Sequence, residues 1–206
     1  MRVLNHIFED FNGLNAFINK DFGYYKSLLI QIFSGTDDTS LIQNILVTLK
    51  NKLPNSHIIG ASTSGEIIEG EVLKNSIIIS LSFFDYTDIE LFYCSDTSFE
   101  SGQKYAKTMV RKDTKAIIAF AESFKGDAES FLEGFSSTCQ NIPIAGGNAA
   151  DNDIFKSVYI IKDNKILSEG IVLASLNGER LTASNNYILA WTPIGKVMTV
   201  TNAKDN

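Results

Sequence analysis

Residues Ile58-Ile59-Gly60-Ala61-Ser62-Thr63-Ser64-Gly65-Glu66 have an echo later in the chain, Ile142-Pro143-Ile144-Ala145-Gly146-Gly147-Asn148-Ala149-Ala150-Asp151. Each begins apolar, enters a glycine-rich turn and ends near a carboxylate. What precedes them also corresponds. Residues 28–33 are a mostly apolar run, as expected of a strand covered on both faces. Ser34-Gly35-Thr36-Asp37-Asp38 is a turn with helix-capping residues. Leu41, Ile42, Ile45, Leu46 and Leu49 then mark one helix face, which Pro54 stops. Before the second turn, residues 116–120, Lys125-Gly126-Asp127, and Phe131, Leu132 and Phe135 give the same order.

Working outward, residues 76–84 and 88–94 are further strands. A helix over 99–110 separates the copies. Strands around 158–161 and 170–176 follow the second turn, and 181–191 would complete the second copy. Residues 8–25 carry Phe11, Leu14, Phe17 and Ile18 at helical spacing, which predicts a short amphipathic helix. The fold class is α+β (mixed α/β), with a duplicated β-α-β-β-β-β unit in halves of about 26–97 and 114–200. One helix per sheet predicts a helix–sheet–sheet–helix sandwich. A single continuous mixed sheet is the alternative. Gly, Ser and Pro are scattered rather than pooled, so 1–206 reads as one structural domain.

The composition excludes several classes. With 206 residues, 44% hydrophobic and 20% charged, the chain is ordinary globular protein. A net charge of -6 without clustered Lys and Arg argues against nucleic acid. No apolar signal core opens the chain, and no apolar run reaches the roughly 20 residues that span a bilayer. A cytoplasmic location without direct membrane insertion is the expectation. Cys94 and Cys139 form no short-spaced pair, and His6 and His57 belong to no metal-spaced cluster. No metal or cofactor is expected.

The two turns are the candidate site. A glycine-rich segment after a strand is ordinarily just a turn; the recurrence makes this pair a candidate. Gly60, Gly65, Gly146 and Gly147 permit close backbone approach, and successive N–H groups in such turns hold anions. Ser62, Thr63 and Ser64 add hydroxyls, and Asn148 an amide. Glu66 and Asp151, at similar places, would receive an ammonium group. Arg180 would hold a carboxylate in a bidentate fork; an exposed strand-edge arginine is its other reading. Enzyme signatures fail. Gly60-Ala61-Ser62-Thr63-Ser64-Gly65 misses a nucleophile elbow by one residue. The phosphate-binding and dinucleotide-binding glycine fingerprints are absent. The expectation is a ligand-binding domain and not an enzyme. The alternatives are an interaction or dimerisation module without ligand, and a hydrolase using Ser62.

These segments carry a resemblance. Residues 58–67 resemble the first hallmark of the FIST N-terminal domain (F-box and intracellular signal transduction). Gly146-Gly147-Asn148-Ala149-Ala150-Asp151 resembles its second, Gly-Gly-x-Ala-x-Asp. Trp191-Thr192-Pro193-Ile194-Gly195-Lys196, then Val200-Thr201-Asn202-Ala203, is similar to the stretch leading into the FIST C-terminal domain. The usual Gly-Trp reads Ala190-Trp191 here. The resemblance covers nearly the whole chain after about Lys26. It implies the sensory input domain of a bacterial signalling protein, binding a small molecule such as an amino acid. FIST C-type and output domains would lie beyond this piece, the output being a histidine kinase, a GGDEF cyclase or a chemotaxis receptor. A homodimer is compatible with it.

Overall fold

Strand-sized apolar runs without polar alternation need cover on both faces, and the structure supplies it. The computed structural model describes residues 1–151, 157–184, 186, 192 and 194–202. The first set of elements is β1 (Arg2–Ile7), α1 (Phe11–Ile18), β2 (Ser27–Ser34), α2 (Thr39–Lys52), β3 (His57–Ser62), a hairpin of β4 (Glu66–Ile68) and β5 (Glu71–Leu73), and β6 (Ile77–Phe84). The second is β7 (Asp88–Cys94), α3 (Phe99–Met109), β8 (Thr114–Ala121), α4 (Ala128–Thr138), β9 (Ile144–Asn148), a hairpin of β10 (Ile160–Lys162) and β11 (Lys165–Leu167), and β12 (Ile171–Asn177).

These elements form two large sheets, ordered β1-β6-β2-β3-β10-β11 and β7-β12-β8-β9. The first four places of one sheet match the four of the other. In each, the middle strand (β2 or β8) pairs parallel with the next (β3 or β9) and antiparallel with the last (β6 or β12). The opening strand (β1 or β7) pairs antiparallel with that last strand. The hairpins agree too: Glu69 and Asp163 both take φ 53 at their turns. The chain is therefore a duplication of β-α-β-α-β-(β-β)-β, one copy from Arg2 to Phe84 and one from Asp88 to Asn177. This corrects the halves expected at 26–97 and 114–200. Each copy begins one strand and one helix earlier, so each sheet carries two helices rather than one. Residues 7–25 are part of the first copy.

The sheets stack face to face with the helices outside, giving the helix–sheet–sheet–helix sandwich. β2 shows why its sequence is apolar throughout. Leu28, Ile30 and Ile32 face the core under α1 and α2, while Leu29 packs between the sheets. In β12, Ile171 and Leu173 face the core under α3 and α4, and Val172, Ala174 and Leu176 face the opposite sheet. Helix starts are fixed by Asp10, Asp38, Ser98 and Asp127, whose side chains accept N–H groups from Gly13, Leu41, Ser101 and Ser130. α3 and α4 cross tightly because both contacts are glycines. A Cβ on Gly102 would lie 2.0 Å from the Phe131 carbonyl oxygen, and one on Gly134 2.0 Å from that of Phe99.

Candidate functional site

β2 and β3 are parallel, so their C-terminal ends, Ser34 and Ser62, open on the same side. Loops leaving the C-terminal ends of parallel strands are a recurrent place for ligands. Here they bound a cleft of about 340 Å³. The turn from β2 to α2 contributes Ser34, Gly35, Thr36 and Asp37. The first glycine-rich turn contributes Ser62 and Thr63, and the exit from the second contributes Asp151 and Ser157. No basic side chain is among the described residues lining it.

The two turns are stitched together here. The Ala150 N–H donates to the Ser62 carbonyl at 2.9 Å. The Ser64 hydroxyl donates to the Asp151 carbonyl at 2.6 Å, and the Tyr159 N–H donates to Ser62 Oγ at 3.1 Å. The Asp151 carboxylate accepts the Ser157 N–H at 3.3 Å. So the structure brings Ser62, Thr63 and Ser64 beside Asp151, across the boundary between the copies.

Other candidates fall elsewhere. Glu66 is buried, and its carboxylate is taken by the Thr63 hydroxyl and by the N–H and hydroxyl of Ser76. It braces the base of the β4–β5 hairpin. Nor does it match Asp151: the registers align Ser62 with Asn148, which sets Asp151 against Gly65. Gly60 and Gly146 are aligned as well, but against strands rather than a ligand. A Cβ on Gly60 would lie 2.2 Å from the Ile32 carbonyl oxygen, and one on Gly146 1.7 Å from that of Ala119. A Cβ on Gly65 would crowd the Leu73 carbonyl oxygen of the hairpin at 3.2 Å. Gly146, Gly147 and Asn148 line two other cavities, about 530 Å³ on the α4 side and about 380 Å³ between the sheets. Arg180 is exposed in the turn after β12, its guanidinium 4.4 Å from the Tyr86 ring centroid. That turn lies by Thr114, at the opposite end of β8 from Asn148. Ala190, Trp191 and Pro193 lie outside the described residues.

Of the residues that line the cleft, the sequence reading named Ser62, Thr63 and Asp151; Asp37 and Asn75 are among those it missed, as is Tyr159 behind them. Asp37 and Asp38 are consecutive, and only one can cap α2. Asp38 does so, accepting the Leu41 N–H at 2.9 Å, which leaves Asp37 to the cleft. Asn75 reaches it from the bend between β5 and β6. Tyr159 supports it from behind: buried, it donates its hydroxyl to the Thr36 carbonyl at 2.9 Å. That burial pushes its phenol up to about 12.

A phenol whose folded pKa exceeds its unfolded one holds its proton more tightly in the native state. Its contribution to stability is complete below about pH 10 and is lost as pH rises through about 12. Tyr159→Phe is therefore expected to lower stability by about 1 kcal/mol at neutral pH and to flatten the decline above pH 10. Melting curves from pH 8 to 12 test this; an unchanged alkaline limb would contradict the role given to Tyr159. Tyr105, also pushed up to about 12 by burial first, remains as a second contributor.

Among the described residues no group of His, Cys, Asp and Glu is placed to hold a metal ion. No helix among them is long and apolar enough to cross a membrane. No curated protein matches the chain. A family model, the FIST N domain, matches residues 28–206, from the second residue of β2 onward. The chain belongs to the FIST N domain family.

Proposed function

We propose that this domain is the sensory input of a signal-transduction protein and that its ligand is a small molecule with an ammonium group, an amino acid being the fitting class. Family membership is consistent with a signal-transduction sensory domain. The observation that carries the ligand reading is the cleft where the two copies meet, with Asp37 and Asp151 on its walls. Two carboxylates attract a cation, and the hydroxyls of Ser34, Ser62 and Thr63 with nearby backbone N–H groups serve its polar remainder. Because Thr63 belongs to one copy and Asp151 to the other, a ligand between them would favour one relative setting of the copies. That bias is what a linked output domain, such as a kinase or cyclase, would read. We place the protein in the cytoplasm on the same reading.

Binding without turnover is favoured by the surroundings of Ser62. Its Oγ accepts the Tyr159 N–H, and it lies at the far end of β3 from His57, about 16 Å along the strand. His6 is on β1, three strands away in the sheet. Asp151→Ala is expected to weaken ligand binding at least tenfold, about 1.4 kcal/mol, while changing stability by only about 0.5 kcal/mol. Titration calorimetry with single amino acids, beside urea denaturation of the same variant, measures both. Unchanged affinity would remove Asp151 from the site.

A further inference from the structure

Among the described residues the duplication leaves one place unfilled. In the first sheet the outer edge of β3 is covered by β10, which pairs antiparallel with it through Ile160↔Ala61 and Ile161↔Gly60. The adjacent Ile160 and Ile161 point to opposite faces, one into the core between the sheets and one into the core under α2. The equivalent edge in the second sheet belongs to β9. Among the described residues no strand pairs with it, and Ala145, Gly146, Gly147 and Asn148 are exposed. The cavities on its two sides, about 530 Å³ beside α4 and about 380 Å³ between the sheets, are the counterparts of the spaces that Ile161 and Ile160 fill.

By the symmetry of the copies, the β4–β5 hairpin would cover this edge. It is kept away by its tether. Residues 63–65 alone join it to β3, and Glu66 is bonded to Thr63 and Ser76, whereas residues 149–159 carry β10 across to β3. Another segment of the same chain has the required chemistry. Lys196-Val197-Met198-Thr199-Val200-Thr201 is rich in β-branched residues, a strand-forming composition. Its apolar side chains are uncovered: Val197 is 98% exposed, Met198 88% and Val200 79%. Val197-Met198 is an adjacent apolar pair like Ile160-Ile161. Lys196 suits the acidic rim of the open edge, where Glu129 and Glu133 of α4 stand beside Leu132 and Asn148. Residues 178–195, which join β12 to this segment, reach up to about 60 Å when extended.

We infer that residues 196–201 add to the outer edge of β9 as a further strand, with Val197 and Met198 filling the two flanking cavities. Main-chain hydrogen bonds along the edge would give affinity and the alternating side chains specificity. An open apolar edge and an exposed apolar segment are each an aggregation hazard, and pairing them removes both. The segment would then tie whatever follows it in a longer chain to the second sheet, next to the turn that leads into the ligand cleft.

Hydrogen exchange of the β9 amides reports on the pairing in the whole chain. The double variant V197D/M198D alters two side chains that are exposed in this structure, so the fold itself should persist. The expected result is exchange across 145–148 at least tenfold faster in V197D/M198D than in the parent. A second measurement uses L132C/M198C with Cys139→Ser, oxidised at low protein concentration. A disulfide within one chain supports the added strand. Equal exchange rates in parent and variant would overturn it, and so would a disulfide formed only between chains, which would indicate exchange of the segment between copies.

Discussion

Gly60→Ala is expected to destabilise the protein by about 3 kcal/mol, at the upper end for overpacking a core position. β3 is held on both sides, by β2 and by β10, so it cannot shift to admit a methyl group. The added Cβ would lie 2.2 Å from the Ile32 carbonyl oxygen and 3.1 Å from the Ile32 Cβ. Gly147→Ala is the control. It comes from the equivalent turn, yet a Cβ there meets nothing within 4 Å, and a change of no more than about 0.5 kcal/mol is expected. Gly146→Ala falls between them. Its Cβ would be 1.7 Å from the Ala119 carbonyl oxygen and its φ of 155 suits glycine, but β9 is an edge strand and can move outward. Urea denaturation of the three variants checks the order. Equal effects would mean that these glycines serve some purpose other than close strand packing.

Glu66→Ala is the second large effect, also about 3 kcal/mol, because it leaves three donors without their acceptor at roughly 1 kcal/mol each. Glu66 is 2% exposed, and the Ser76 N–H reaches its Oε2 at 3.2 Å. The loss should be local as well as global: Ser76 and the hairpin should exchange hydrogen faster, since Glu66 fastens the strand after the hairpin to the turn before it. Glu66→Gln keeps one acceptor oxygen and should cost less. If instead Glu66→Ala left stability untouched and abolished ligand binding, Glu66 would belong to the ligand site after all.

Much of this was legible in the sequence, and the exceptions have physical causes. The paired turns were found because strand, capped helix, strand and glycine leave strong marks, and both copies keep them. β1 left none. It is an edge strand whose Val3 is 44% exposed and whose partners lie only on one side, so Arg2–Ile7 lacks the apolar run of a buried strand. Missing it displaced the boundaries of both copies. The hairpin strands are too short for a periodic signal, and the crossing of β10–β11 onto the other copy's sheet, which β4–β5 does not make, depends on tether length, which no local pattern records. At the site, residue type suggested where polar groups gather but not how they are used. A carboxylate three residues after Thr63 looks available to a ligand until Ser76, distant in sequence, is seen to donate to it twice. Arg180 was separated from the turns by strand direction alone. Asp37 and Tyr159 entered through the packing of one copy on the other.

On the proposed reading, the cleft between the copies binds a small molecule through its ammonium group. A thermal-shift screen of amino acids, each paired with its N-acetylated form, tests it most directly. A ligand that binds only the folded state stabilises it by about 2.7 kcal/mol at a hundredfold excess over its Kd. At least one free amino acid or small primary amine should raise the melting temperature, its N-acetyl form should not, and Asp151→Ala should abolish the shift. A shift equally large with the acetylated form, or one that survives Asp151→Ala, would contradict it.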